Sequence, residues 1–270
     1  MCENKRLACD RLFEGNPVNR HSTPSLNEVK MFTIIYYASL IILIPGLLLA
    51  IIAQIFIKVA YSKYSKVPAR SGMTAEQVSR TLLDQNDCYS VGIGRISGDL
   101  TDNYNPKTDT LSLSDSVYGS SSVAAIGVAA HECGHACQKH SGSWLLGLRS
   151  ILVPITNIGS RLAVPVAILG VIIEWISGTE GIGSYIVTLG IFLYSLTTIF
   201  ALVTLPVEIN ASHRAIKMLG NGGYLESDEL RGAKKVLTAA AMTYVASLVV
   251  SFLYLLRFLV ILSSVRGKRK

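Results

Sequence analysis

Charge is scarce in this chain. Only 16% of its 270 residues are charged against 50% hydrophobic, and the mean hydropathy is +0.42. Ordinary water-soluble domains are about 25% charged, so the balance excludes one and points to several membrane spans. Cysteine is thin as well. The five residues Cys2, Cys9, Cys88, Cys133 and Cys137 are odd in number and lack disulfide or metal-knuckle spacing. That pattern excludes a disulfide scaffold and fits a reducing compartment. Internal repeats are also missing, which argues against a transporter built on duplicated, broken helices.

What the chain does have is long apolar runs. A span needs roughly 20 mainly apolar residues, and four runs qualify: 32–57, 151–175, 185–207 and 236–263. The first carries no charge and is too long for the core of a secretory signal, roughly 7 to 15 residues, so it is expected to stay as an anchor. The second is interrupted by Pro154, Asn157, Arg161 and Pro165, which predicts a kink or an interfacial start. The fourth holds one internal charge, Arg257.

The net charge of +7 does not imply a nucleic-acid partner. Its basic residues sit at span ends, at Lys58, Lys63, Lys66 and Arg70, at Lys234 and Lys235, and in the terminal RGKRK, where membrane flanking explains them. Residues 1–30 are polar, mixed in charge and too poor in apolar side chains to form a core, so they read as a disordered tail. Met31, directly before the anchor, is a candidate for the true first residue; the mass of the native N-terminus tests this.

Between spans one and two lies the only sizeable polar region. Thr74 and Gln77 make a capping-box pattern, and Val78, Leu82 and Leu83 follow at helical spacing. Two stretches of β-type alternation come next, CYSVGIGRISGDL and DTLSLSDSVY, separated by TDNYNPKT with its Asn105-Pro106 turn signal; together they predict a hairpin. From about Ser121 a run without proline predicts a helix through AAHECGHACQKH.

On that helix His131 and His135 stand one above the other, so both imidazoles can reach one ion. Glu132 lies beside them, placed to take a proton from water, as in the H-E-x-x-H zinc peptidases. Chance is a poor explanation, since composition alone gives such a motif a frequency on the order of 0.003 per chain of this length. Cys133 and Cys137 fall on the opposite face and are expected to pack as small hydrophobes. A catalytic zinc site takes three protein ligands and keeps a position open. His140 has turned off the ligand face. Glu208, in TLPVEINASHRAIKML, is the expected third ligand, with Asn210, Ser212 and His213 as candidates to orient the ligands by hydrogen bonding.

These residues resemble the bacterial neutral zinc metallopeptidase family called YugP-like, integral membrane proteins related in pattern to HtpX-like and Ste24-like peptidases. The likeness runs from about Phe32 to Arg257, through SGMTAEQVSRTLLD, NPKTDTLSLSDSVY, AAHECGHA, LVTLPVEINASHRA and GAKKVLTAAAMTYVA. It implies zinc on His131, His135 and Glu208, Glu132 as catalytic residue, and a hydrolytic peptidase. This chain departs from the family at Asn210, where Asp is expected, and at Cys133, where Val is usual.

The expected architecture is a mainly α membrane protein of about four transmembrane helices, with a small α+β zincin-type catalytic domain between spans one and two. Its divisions are a tail (1–30), an anchor (31–58), a zinc peptidase region (59–150) and a bundle contributing the third ligand (151–270). The expected function is zinc-dependent endopeptidase in the membrane, acting on a peptide or membrane-protein substrate. His213, Arg214 and Tyr244 are candidate oxyanion donors, and the Thr110–Leu113 strand is a candidate edge for an extended peptide. Fourteen Lys and Arg lie on the catalytic side against nine opposite, which places catalysis at the cytoplasmic face. The rival readings are a non-catalytic zinc scaffold, which would fill all four ligand positions with Cys or His, and a site-2-type intramembrane protease. The latter needs its motif in a spanning helix and a late Asp, and the only Asp after Asp115 is Asp228.

Overall fold

A computed structural model of the chain describes residues 26–177 and 181–266. The first apolar run is divided into α1 (Leu26–Ile41) and α2 (Ile44–Tyr64). The break falls just ahead of Pro45, which has no N–H to give and whose ring crowds the preceding turn. α1 begins at Leu26, inside the stretch expected to be a tail, and the rest of that stretch, residues 1–25, lies outside the described residues.

The polar region opens with α3 (Ala75–Asp84), and its capping box forms as the sequence predicts. Thr74 Oγ1 accepts from Gln77 N at 3.3 Å, and Gln77 Oε1 accepts from Thr74 N at 3.0 Å. Val78, Leu82 and Leu83 on its inner face are fully buried. Three short strands follow, β1 (Gly92–Ile96), β2 (Asn103–Asn105) and β3 (Thr110–Ser114), in the order β1-β3-β2.

The expected hairpin between the two alternating stretches is not what forms. β1 and β3 pair in parallel, with Gly92 opposite Thr110, and the true antiparallel pair is β2 with β3. The segment expected to be only a turn thus supplies a strand before turning at Pro106. In consequence β3 is central, so the expected edge at Thr110–Leu113 is corrected to β2.

Helix α4 (Val123–His140) starts where Ser122 caps it, its Oγ accepting from Ala125 N at 3.2 Å. Three long helices complete the chain: α5 (Trp144–Ser177), α6 (Ile182–Asn221) and α7 (Ser227–Arg266). α5 runs through both Pro154 and Pro165 and begins earlier than the apolar run alone implies. Its partner is α6, met along a seam of small residues: a Cβ added to Gly170 would lie 2.7 Å from Gly183 O, and one on Gly190 2.8 Å from Ala163 O. Such seams let membrane helices approach closely.

Thr33–Tyr64, Trp144–Glu174, Ile182–Asn221 and Ser227–Ser263 are each long and apolar enough to cross a membrane. Their outward positions are apolar, as at Ile51, Phe56, Ile158, Leu202 and Phe252, all more than half exposed, as suits contact with lipid. The architecture is that of a mainly α membrane protein with a small sheet. The inner ends of α6 and α7 rise past this apolar belt and enter the core of the polar region, where Ala215, Leu219, Ala233 and Leu237 pack with Leu83, Leu111, Ile126 and Ala130. This interleaving brings Glu208 to α4.

Candidate metal centre

The site is assembled by one close helix contact. α4 and α6 touch at Gly134, where an added Cβ would stand 2.5 Å from Ala211 O. With no side chain between the backbones, His131 and His135 on α4 face Glu208 on α6. His131 Nε2 lies 3.1 Å and His135 Nε2 3.5 Å from Glu208 Oε2. All three donor atoms fall within 4.8 Å of one another, and His135 and Glu208 are buried.

The other ring nitrogens are held from behind. Ser212 Oγ is 3.1 Å from His131 Nδ1, and Gln138 Oε1 is 2.9 Å from His135 Nδ1. The second contact fixes a tautomer. Gln138 Nε2 donates to Val207 O at 2.8 Å and to Asn210 Oδ1 at 3.0 Å, and that Oδ1 also accepts from Arg214 Nε at 3.0 Å. A carbonyl and an arginine N–H each have a single hydrogen-bonding role, so both amides are pinned in orientation. Gln138 Oε1 can only accept, and His135 Nδ1 must carry the proton. Its Nε2 faces a carboxylate oxygen, a grouping that a shared cation satisfies.

A zinc ion fits that grouping. Ligand atoms about 2.0 to 2.2 Å from a tetrahedral ion are roughly 3.3 to 3.5 Å apart, and two imidazoles with one carboxylate are a donor set zinc favours. Glu208 Oε1 faces Arg149, whose Nη2 stands 2.9 Å away as a charge contact without the alignment of a hydrogen bond. Arg149 and Gln138 are residues that the sequence reading missed.

Glu132 completes the centre. Its Oε2 accepts the backbone N–H of Tyr104 in β2 at 2.9 Å. Burial pushes its carboxyl up to about 7, against the opposing pull of His131. A cleft of about 290 Å³ opens over the group, walled by Asp102 and Tyr104, by Arg149 and Val153 of α5, and by Tyr244 of α7.

A family profile described as "Putative neutral zinc metallopeptidase" matches residues 39–263. The chain belongs to this zinc metallopeptidase family. Among curated proteins, "Putative membrane protease YugP" of Bacillus subtilis (strain 168) is 42% identical over 219 residues, which is 81% of this chain and 93% of that protein. No solved structure matches.

Within this member of the family the other expected residues divide. Asn210 and Ser212 support Gln138 and His131, whereas His213 and Arg214 line a separate cleft of about 680 Å³ beside Lys217, away from the histidine pair. They are not placed to serve as oxyanion donors, whereas Tyr244 lines the cleft over the histidines. His140 turns away to Asp109, 3.3 Å distant. Cys133 and Cys137 are buried, and burial raises both thiols, Cys137 to about 12. The motif helix α4 is not among the four candidate spans, a finding at odds with the site-2-type reading.

Proposed function

We propose that the chain is a membrane-embedded zinc-dependent endopeptidase, with His131, His135 and Glu208 as metal ligands and Glu132 as general base. The observation that carries this reading is the convergence of the His131, His135 and Glu208 donor atoms within 4.8 Å, with His135 Nδ1 held by Gln138 so that Nε2 faces the carboxylate. Zinc bound there would supply the Lewis acidity that polarises a peptide carbonyl and activates water. Three protein ligands leave a position for that chemistry, which a purely structural site would fill.

The chain's own groups then divide the work. Glu132, held through one oxygen by Tyr104 N–H, takes the proton of the attacking water on the other and hands it to the leaving amine. Tyr244 lines the cleft with a phenol able to donate to the developing oxyanion. Arg149 and Gln138 orient Glu208 and His135. β2, the edge strand beside the cleft, offers backbone groups to an extended peptide by strand addition. The substrate is a peptide or a membrane protein, the relative's name speaks of a membrane protease, and the excess of Lys and Arg on the catalytic side favours the cytoplasmic face.

The test compares purified wild type with Glu132→Gln for zinc content and for cleavage of casein and of a membrane-inserted peptide. Cleavage by wild type, lost by at least about a hundredfold in the variant with zinc retained, is the expected result. Undiminished cleavage by Glu132→Gln would remove the general-base role.

A further inference from the structure

The cleft has two walls in the membrane bundle, α5 and α7. Each packs along α6, yet they make no extended contact with one another. In the gap between them the cleft lining reaches from the histidine pair to Leu146, Arg149, Ser150 and Val153 of α5.

The side of α5 that borders this gap is chemically distinct. Advancing about 100° per residue from Ala163, which meets α6, the polar side chains Arg149, Ser150, Asn157, Ser160 and Arg161 fall on the flank that carries the cleft residues, among the exposed Val153, Val164, Ile168 and Val171, while Thr156 is buried toward α6. The opposite flank is Ile151, Ile155, Ile158, Leu162 and Leu169, all exposed and all apolar. One flank is therefore uniformly apolar, and the other carries a broken row of polar groups.

Arg161 ends this polar track. It lies twelve residues beyond Arg149, about 18 Å along the helix. The contacts of Gly159 with Leu193 and of Gly190 with Ala163 set it level with Phe192, about 15 Å from the start of α6. That is half the thickness of a hydrocarbon core. Arg161 is exposed, and among the described residues it has neither an ion pair nor a hydrogen bond.

The fold satisfies its other deep arginines. Arg257 Nε donates to Ser39 Oγ at 3.2 Å and its guanidinium lies 5.0 Å over the Tyr36 ring, while Arg149 meets Glu208. A cation at mid-depth is costly unless paired, so Arg161 calls for an acid from outside the chain. A second copy does not bring one. The acids deep in the helices, Glu174 and Glu208, are engaged with Ser184 and with the histidines, and a copy would add its own arginine.

We propose that the flank of α5 from Arg149 to Arg161 is the docking track for a membrane-embedded segment of the substrate, and that Arg161 recognises a carboxylate on it. This rests on the peptidase reading for what happens at the upper end of the track. The acid on the substrate stands about 18 Å below the bond to be cut.

The test uses the full chain in phosphatidylcholine vesicles and three synthetic peptides. Each has one Leu/Ala span of roughly 20 residues, with Glu, Gln or Lys at its midpoint and a fluorophore at one end. Binding is read by energy transfer to the Glu132→Gln protein, so that it does not depend on turnover. The Glu peptide is expected to bind at least about tenfold tighter than the Gln peptide, and the Lys peptide weakest. Arg161→Gln should abolish the preference and Arg161→Lys should keep most of it, with retained zinc content reporting an intact fold. Equal binding of the Glu and Gln peptides, or a preference that survives Arg161→Gln, overturns the proposal. So does an Arg161→Gln effect limited to bound phosphatidylglycerol, since the arginine would then serve a lipid headgroup. A charge preference in binding without cleavage by wild type would uphold the track and sink the peptidase reading instead.

Discussion

Gln138 shows how much of this centre is decided by residues that never touch the metal position. It fixes the His135 tautomer only because both of its amide protons are occupied, by Val207 O and Asn210 Oδ1. Replacing it with Leu preserves volume but leaves His135 Nδ1 without its acceptor, and zinc affinity should fall by roughly 10- to 100-fold; a competitive chelator titration measures this. The His-Glu-x-x-His motif and Glu208 were legible in the sequence because residue type and spacing carry them. Gln138 and Arg149 were not, because their roles depend on a carbonyl and a carboxylate of α6 that the fold alone brings near. Asp109 belongs to the same class. Burial raises its carboxyl, but hydrogen bonds from Tyr104, Ser90, Lys139 and His140 outweigh that and hold it well below the usual carboxylate range. A depressed folded value contributes stability above the unfolded value, near 3.9, that is lost as the pH falls toward the folded one. Asp109→Asn tolerates the left-handed backbone at this position (φ 53°). It should lower stability at neutral pH and flatten the acid limb of the unfolding profile below about pH 4; an acid limb as steep as wild type's would contradict that assignment.

Among elements, the contact of α4 with α6 at Gly134 carries the most consequence. A methyl there would meet the backbone carbonyl of Ala211, which cannot turn aside as a flexible side chain would. Gly134→Ala should therefore separate the helices, cost about 1 to 3 kcal/mol, and reduce zinc content by drawing Glu208 away from the histidines. A variant of unchanged melting temperature and full zinc occupancy would show that the contact yields. The start of α3 was readable because Thr74 caps it by a local hydrogen bond, and that of α4 because a proline-free run of small and apolar residues follows Ser121. The sheet was misread for the converse reason. Alternation in two neighbouring stretches looks like a hairpin, yet their pairing is parallel and the intervening strand is only Asn103–Asn105, too short and too polar to announce itself. The edge that borders Glu132 was hidden with it.

Across the whole molecule, the histidines belong to the polar region and Glu208 to a helix of the bundle, so an ion held between them would tie the two together. The core that α6 and α7 build with α4 supplies the approach, and the buried Glu208 carboxylate at its centre, already faced by Arg149, would gain a further partner in the ion. A ligand that binds only this arrangement stabilises it by mass action, about 2.7 kcal/mol at a free concentration of 100 times its dissociation constant. For a chain of this size that is a rise in melting temperature of about 5 to 10 °C. Chelation of the purified protein in detergent should lower the melting temperature by this amount and restored zinc should recover it, as followed by circular dichroism. His135→Ala removes one ligand without touching the α4–α6 backbone contact, so its melting temperature should no longer respond to either chelator or zinc. A response of undiminished size in that variant would locate the stabilising ion elsewhere and separate the metal from the joint between region and bundle.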